Sequence, residues 1–334
     1  MKLVSYLKDG NEQLALYVNG YLYDTDYIHP ELPSSMNVFL NYWEEYHPAA
    51  QAVENAIKTG RISQDRAVAV EQVQLLSPVP LPASIRDGYA FRQHVETARK
   101  NRGKEMLPEF DAFPVFYFSN HHAVTGPGDV TCMPDHFEKL DFELEVAIVI
   151  SKTGRNIPAE EADEYIAGLL IMNDFSARQL QQEEMLLNLG PAKGKDFATA
   201  FGPWLVTTDE LEEFETAAHE NHTGKSWNLS MKCRVNGVEV SNGNLADMQW
   251  TFAEIIERAS YGVTLYPGDV IGSGTVGTGC FLELNGTGRL ANPGYTEQWL
   301  QQGDTVELEV EGLGVLHNTI VKEDSGFSIL SRKK

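Results

Sequence analysis

The sequence is poor in positive charge, in cysteine and in long apolar runs. Its 26 Lys and Arg face 48 Asp and Glu, a formal net charge of −22. Such a chain repels phosphate backbones and anionic lipid, which argues against nucleic acid and membrane as partners. An anionic substrate would then need a metal ion or a local group of Arg and Lys. The three cysteines, Cys132, Cys233 and Cys280, show no C-x-x-C spacing. Neither a disulfide framework nor a zinc site is indicated, and a reducing compartment is expected. No stretch reaches the roughly 18 apolar residues of a membrane span. The opening MKLVSYLKDGNEQLALYVNG carries charges and a turn where a signal peptide needs an apolar run. A cytoplasmic protein is therefore expected.

With 42% hydrophobic residues the chain can build a proper core, and 334 residues suggest two domains, or one large domain plus a small one. Residues 1–76 read as a small α+β domain, with a hairpin signal at Asn19-Gly20. The proline-rich residues 77–83 read as an extended linker. Residues 84–334 then form the larger, β-rich unit.

Chemistry concentrates in that unit. The run LDFELEVAIVI at 140–150 alternates like a strand before becoming continuously apolar. Glu143 and Glu145 would lie on one face about 7 Å apart, at the mouth of a buried strand. Taken alone, an E-x-E pair is more often a solvated strand end. Asp87 stands just before a predicted helix, and His94 lies two turns further on. Residues 95–103 are basic and polar, as in a loop or lid. In NDFSARQLQ (173–181), Asp174, Arg178 and Gln181 would share a helix face, which alone reads as an N-cap and an i,i+4 ion pair. The GPAKGK run at 190–195 lacks the spacing of a phosphate-binding loop.

The stretch PGDVIGSGTVGTG (267–279) contains G-x-G-x-x-G. A dinucleotide fingerprint needs a helix next, whereas 280–284 alternates as a strand, so that reading is rejected. The paired His121 and His122 find no third soft ligand, and His219 and His222 read as solvated. Four carboxylates remain: Asp87, Glu143, Glu145 and Asp174. An all-oxygen set suits a hard divalent cation, magnesium, manganese or calcium, rather than zinc. Tyr89, Arg178, Gln181, Lys195 and Thr275 suit an anionic, oxygen-rich substrate. His94 and Glu283 can pair as a water-activating base and its orienter.

Taken together, these motifs resemble the fumarylacetoacetate hydrolase family. The resemblance rests on D-x-Y-x-x-x-x-H at 87–94, LDFELEVA at 140–147, NDFSARQLQ at 173–181, GKDFATAFGPW at 194–204, VNGVEVSNGN at 235–244 and PGDVIGSGTVGTG at 267–279. It implies a mixed β-roll catalytic domain in an α+β, β-rich chain, and a homodimer. It implies magnesium first, with calcium or manganese as substitutes, on Asp87, Glu143, Glu145 and Asp174. It also implies that Tyr89, Arg178, Gln181, Lys195 and Thr275 contact a small oxo-acid substrate. The family's short members carry H-x-x-E on a lid, but here Thr97 follows His94 by three. A Glu in a late strand, met here by Glu283, is the pattern of the hydrolase proper. The expected reaction is C–C bond hydrolysis in a 1,3-diketo acid such as fumarylacetoacetate or an acylpyruvate. Decarboxylation, hydration or isomerisation of a related oxo-acid is the alternative. Phe175 and Gln179 depart from the family's usual Trp and Asp, which bears on the substrate.

Overall fold

The computed structural model describes residues 1–333. The chain opens with β1 (Lys2–Lys8), β2 (Asn11–Val18) and β3 (Tyr21–Asp24). Their turns fall at Asp9-Gly10 and at Asn19-Gly20, all four residues with positive φ. That is the backbone hand which two-residue hairpins require, and the reason Asn-Gly marks them. Helices α1 (Met36–Asn41) and α2 (Trp43–Lys58) follow.

The larger unit begins with β4 (Ser84–Gly88), α3 (Arg92–Lys100), β5 (Phe116–Ser119) and β6 (Gly128–Cys132). Next come β7 (Leu144–Ile150), β8 (Ile166–Asp174), α4 (Arg178–Met185) and β9 (Thr199–Thr207). The hairpin β10 (Ser230–Val235) and β11 (Val238–Asn244) turns at Asn236-Gly237, as its sequence predicts. Helix α5 (Phe252–Ser260), β12 (Asp269–Gly272), α6 (Phe281–Ala291), β13 (Thr305–Val310) and β14 (Gly314–Lys322) complete it.

Ten of the strands in a 12-stranded sheet form one path, running from a short strand at Val68–Ala69 through β3, β2, β1, β9, β8, β7, β12 and β4 to β5. A second sheet has the order β11-β10-β13-β14-β6. Every residue of β7 and β8 is buried, as continuous apolar runs demand. Ile148, Leu169 and Ile171 face a core shared with Met231, Leu308 and Leu316 of the second sheet. Ala147, Val149 and Leu170 face the other way, onto a core shared with Leu14, Phe39 and Val53. The N-terminal strands thus extend the same sheet, through Lys2↔Val206 and Leu3↔Leu205. Residues 77–83 lie against β1, where the Ser5 hydroxyl donates to the Pro78 carbonyl at 3.0 Å and Val79 is fully buried.

Several local expectations are corrected. Residues 280–284 do not form a strand, because α6 starts at Phe281. A helix therefore does follow the glycines, and the ground for rejecting a dinucleotide site was wrong. The topology rejects it instead. Strand β12 runs parallel only to β4, and the strand after α6, β13, belongs to the other sheet, so no βαβ unit forms. The predicted lid at 95–103 is largely helix α3. Asp174 ends a strand instead of starting a helix. His222 is not solvated: its side chain is 11% exposed and bonds Glu254 at 2.9 Å.

Gly168 sits where β8 meets β9, and a Cβ there would lie 2.2 Å from the Val206 carbonyl oxygen. Gly168→Ala should cost about 1–3 kcal/mol by overpacking, read as a lower denaturant midpoint. His136 is buried against Phe197, ring centroids 4.0 Å apart. Burial first, then the Lys193 charge, pushes its pKa down from 6.5 to about 4. The fold thus keeps His136 neutral while the unfolded chain protonates it. Its contribution is complete above the unfolded value of 6.5 and is lost as pH falls towards about 4. Across that window the wild type should lose more stability than His136→Gln in parallel denaturation curves.

Candidate metal centre and catalytic pair

Three of the four acidic residues come from strands of the main sheet, and the fourth from a break just before one of them. Asp87 lies near the end of β4 and pairs with Gly272. Glu145 is the second residue of β7, and Asp174 is the last of β8. Glu143 sits in a break at residues 142–143, between the short strand Leu140–Asp141 and β7. There its backbone N–H donates to the Asn173 side chain at 3.0 Å. One carboxylate oxygen from each residue lies within 4.8 Å of the others, and all four residues are buried.

Two like charges about 4.8 Å apart repel by about 3 kcal/mol at an effective dielectric of about 20. Six such pairs would exceed the stability of a typical domain, roughly 5–15 kcal/mol. The cluster cannot hold four bare negative charges. Two responses are visible. Lys195 places its ammonium between Glu143 and Asp174, 2.5 Å from the latter. The acids also shift their protonation. Burial, then the Asp174 charge, pushes Asp87 up to about 7. Burial, then the Asp87 charge, raises Glu145 well above the usual carboxylate range. Glu143 goes the other way: burial opposes it, but Lys195 and Arg178 together hold it low.

The donor set fits a hard cation on two counts. All its atoms are carboxylate oxygens, and two of them, Glu145 Oε2 and Asp174 Oδ1, are buried with no hydrogen-bond partner. Other acceptors of the set are used. Asp87 Oδ1 accepts from Gly274 N at 3.1 Å, and Glu145 Oε1 accepts from the Thr275 hydroxyl at 3.2 Å. The Tyr117 hydroxyl donates to Asp174.

His94 and Glu283 meet as expected, though on two helices. His94 Nδ1 lies 2.6 Å from Glu283 Oε2, with the residues 7% and 3% exposed. With Nδ1–H donated to the carboxylate, Nε2 is left to accept a proton. Glu283 is fixed in turn, since Oε1 accepts from Thr278 N at 3.0 Å. Thr278 holds a left-handed φ of 68°, and its hydroxyl lies 3.1 Å from that of Ser241. The two helices dock closely: Asn101 on the loop after α3 donates to the Glu283 carbonyl at 3.0 Å, and a Cβ on Gly286 would strike the Asn101 side chain. The His94 ring stands edge-on to Tyr89, centroids 5.9 Å apart.

Arg178 does not pair with Asp174. It donates from Nε to Asp141 at 2.8 Å, from Nη2 to Glu143 at 2.7 Å and from Nη1 to Gln181 at 3.0 Å. An i,i+4 pair needs one helix, and the chain turns from strand to helix between the two residues. Beside Lys195 a cavity of about 290 Å³ opens, lined by Phe118, Ser119, Asn120 and Pro191 among others. The His121 and His122 rings lie against each other at a tilt, centroids 4.1 Å apart, and outside the acidic cluster. Sequence reasoning gave no role to Asp141, Asn173 or Tyr117. Asp141 shares the alternating face of Glu143 and Glu145 and was legible there. Tyr117 faces Asp87 only through the β4–β5 register, which no linear motif reveals.

Magnesium should raise the melting temperature of the metal-free protein by neutralising this cluster. Glu145→Gln should leave the metal-free melting temperature within a few degrees of wild type, because burial and the neighbouring Asp87 already disfavour a charge on Glu145, and should abolish most of the magnesium response. Scanning fluorimetry with and without the ion checks both.

A family model described as "Fumarylacetoacetate (FAA) hydrolase C-terminal" matches residues 83–321. Among curated proteins, the mitochondrial oxaloacetate tautomerase of Rattus norvegicus is 29% identical over 331 residues, covering 96% of this chain and 92% of that one. A human mitochondrial oxaloacetate tautomerase is 30% identical over 299 residues, with 87% and 81% covered. These relatives are named as mitochondrial, whereas the cysteine count and N-terminus had suggested a cytoplasmic protein. No helix among the described residues is long and apolar enough to cross a membrane. Among solved structures, the fumarylacetoacetate hydrolase of Exiguobacterium antarcticum superposes with a TM-score of 0.68 at 25% identity, over 97% of this chain and all of that one. By the family match, by relatives along nearly its whole length and by its fold, this chain belongs to the fumarylacetoacetate hydrolase family.

Proposed function

We propose that the protein is a divalent-cation-dependent enzyme that interconverts the enol and keto forms of a small 2-oxo dicarboxylic acid, with oxaloacetate as the model substrate. The reading is carried by one observation: a buried His94–Glu283 pair, bonded through Nδ1, close enough for the His94 charge to act on Glu143 of the all-oxygen acidic cluster. Tautomerisation, among the reactions such a site can perform, is supported by the names of relatives that match along most of the chain.

A cation held by Asp87, Glu143, Glu145 and Asp174 would supply the positive charge that stabilises an enolate oxygen. His94 Nε2 takes the enol hydroxyl proton and returns a proton to the neighbouring carbon, so atoms and charge balance without water. Glu283 accepts Nδ1–H throughout and stabilises the ring while it is doubly protonated. Lys195 and Arg178, the buried cations in contact with the acidic cluster, are the groups that would offset the substrate's carboxylates. Ser119, Asn120 and Lys195 line the cavity through which such an acid would enter.

C–C hydrolysis of a 1,3-diketo acid is the second reading. Its support is the same pair: a histidine oriented by a glutamate from a separate element can equally deprotonate water. The two differ in products. With magnesium, manganese or calcium added in turn, the protein should speed the loss of the ultraviolet absorbance of enol oxaloacetate. It should release no carboxylic acid from fumarylacetoacetate, fumarylpyruvate or simpler acylpyruvates, and no carbon dioxide from oxaloacetate. Acid release from the diketo acids, with the enol decay unchanged, would establish hydrolysis instead. His94→Gln should lower turnover by roughly 10²–10⁴-fold while keeping the magnesium-induced melting shift. Full activity in that variant would remove His94 from the mechanism.

A further inference from the structure

We infer that Asp141 is a positioning residue, a buried carboxylate outside the cation cluster that fixes the helix bearing Glu283 and through it the aim of His94. Asp141 is fully buried and takes four N–H donors on two oxygens. Oδ1 accepts from Phe281 N at 2.7 Å and from Phe142 N at 3.0 Å. Oδ2 accepts from Leu282 N at 2.9 Å and from Arg178 Nε at 2.8 Å.

Phe281 and Leu282 are the first two residues of α6. Their amides have no partner within the helix and carry the positive end of its dipole. The local N-cap residue, Cys280, makes no side-chain cap. The cap therefore comes from a residue 140 positions earlier in the chain. Glu283 is the next residue along, still in the first turn, and its carboxylate meets His94. A carboxylate serving only as counter-ion to Arg178 would leave those amides bare. Arg178 also already has Glu143 and Gln181. Asp141 thus joins two halves of the site: the arginine on α4 and the first turn of α6.

The effect on turnover rests on His94 acting as the base, as proposed above; the effect on the position of His94 does not. Asp141→Asn keeps the shape of the side chain, but whichever oxygen remains, two of the four donors then face an NH2 group. The His94 Nδ1–H proton, bonded to a buried carboxylate, should give a downfield proton NMR signal, identified by its loss in His94→Gln. In Asp141→Asn that signal should vanish or move, and turnover of enol oxaloacetate should fall on the order of 10²-fold with KM little changed. The magnesium-induced melting shift should remain. A folded variant with an unmoved signal and wild-type turnover would overturn the inference. So would parallel loss of turnover and of the magnesium response, which marks a general structural role. If the wild type does not act on oxaloacetate, the functional reading falls and the His94 signal alone decides the role of Asp141. If Asp141→Asn does not fold, Asp141→Ser, which leaves room for a water at the vacated acceptor, is put to the same measurements.

Discussion

Like charge in a dry place governs this molecule. Four carboxylates crowd within 4.8 Å of one another in a buried pocket. Their mutual repulsion is of the same order as the stability of the whole fold. The surroundings answer it with Lys195, with Arg178 and with raised proton affinity on Asp87, Glu145 and Asp174. None of these satisfies Glu145 Oε2 or Asp174 Oδ1. A divalent cation would meet both needs, since it neutralises charge and accepts oxygen donors from several directions.

The sheet makes the crowding possible. Strands β4, β7 and β8 deliver Asp87, Glu145 and Asp174 at or near their ends, and the break at residues 142–143 turns Glu143 towards the same point. The apolar bodies of β7 and β8 are packed on both faces, so those ends cannot relax apart. The His94–Glu283 pair is built differently. It lies between α3 and α6, whose contact depends on Gly286 and on the Asn101 bond to the Glu283 carbonyl. The acidic cluster therefore rests on strands and the His94–Glu283 pair on helices. Arg178, touching Glu143 and Asp141, is the bridge between them.

Much of this was legible in the residues. Asp-Gly and Asn-Gly turns marked three strands and a hairpin because few other dipeptides adopt that backbone hand. The alternating acids of 141–145 pointed to the cluster, and the hard-cation choice followed from oxygen-only donors. What failed did so for identifiable reasons. The alternation at 280–284 looked like a strand, but a remote carboxylate caps a helix there, and no local propensity carries that information. The pairing of Asp174 with Arg178 assumed one helix, whereas a strand ends between them. Glu283 reached its expected partner all the same, because its place beside His94 depends on where α6 is anchored and not on strand or helix as such. The reaction type was least legible. One histidine–glutamate pair can move a proton to carbon or activate water, and the residues that build it are the same for both.

The central claim is that the four acids bind one hard ion within reach of His94. Titration with manganese, followed by the downfield His94 proton signal, tests both halves at once. The account predicts that this signal broadens away as about one equivalent of manganese is added, and that excess magnesium restores it. A signal that stays sharp while manganese binds, or no binding at all, would contradict it.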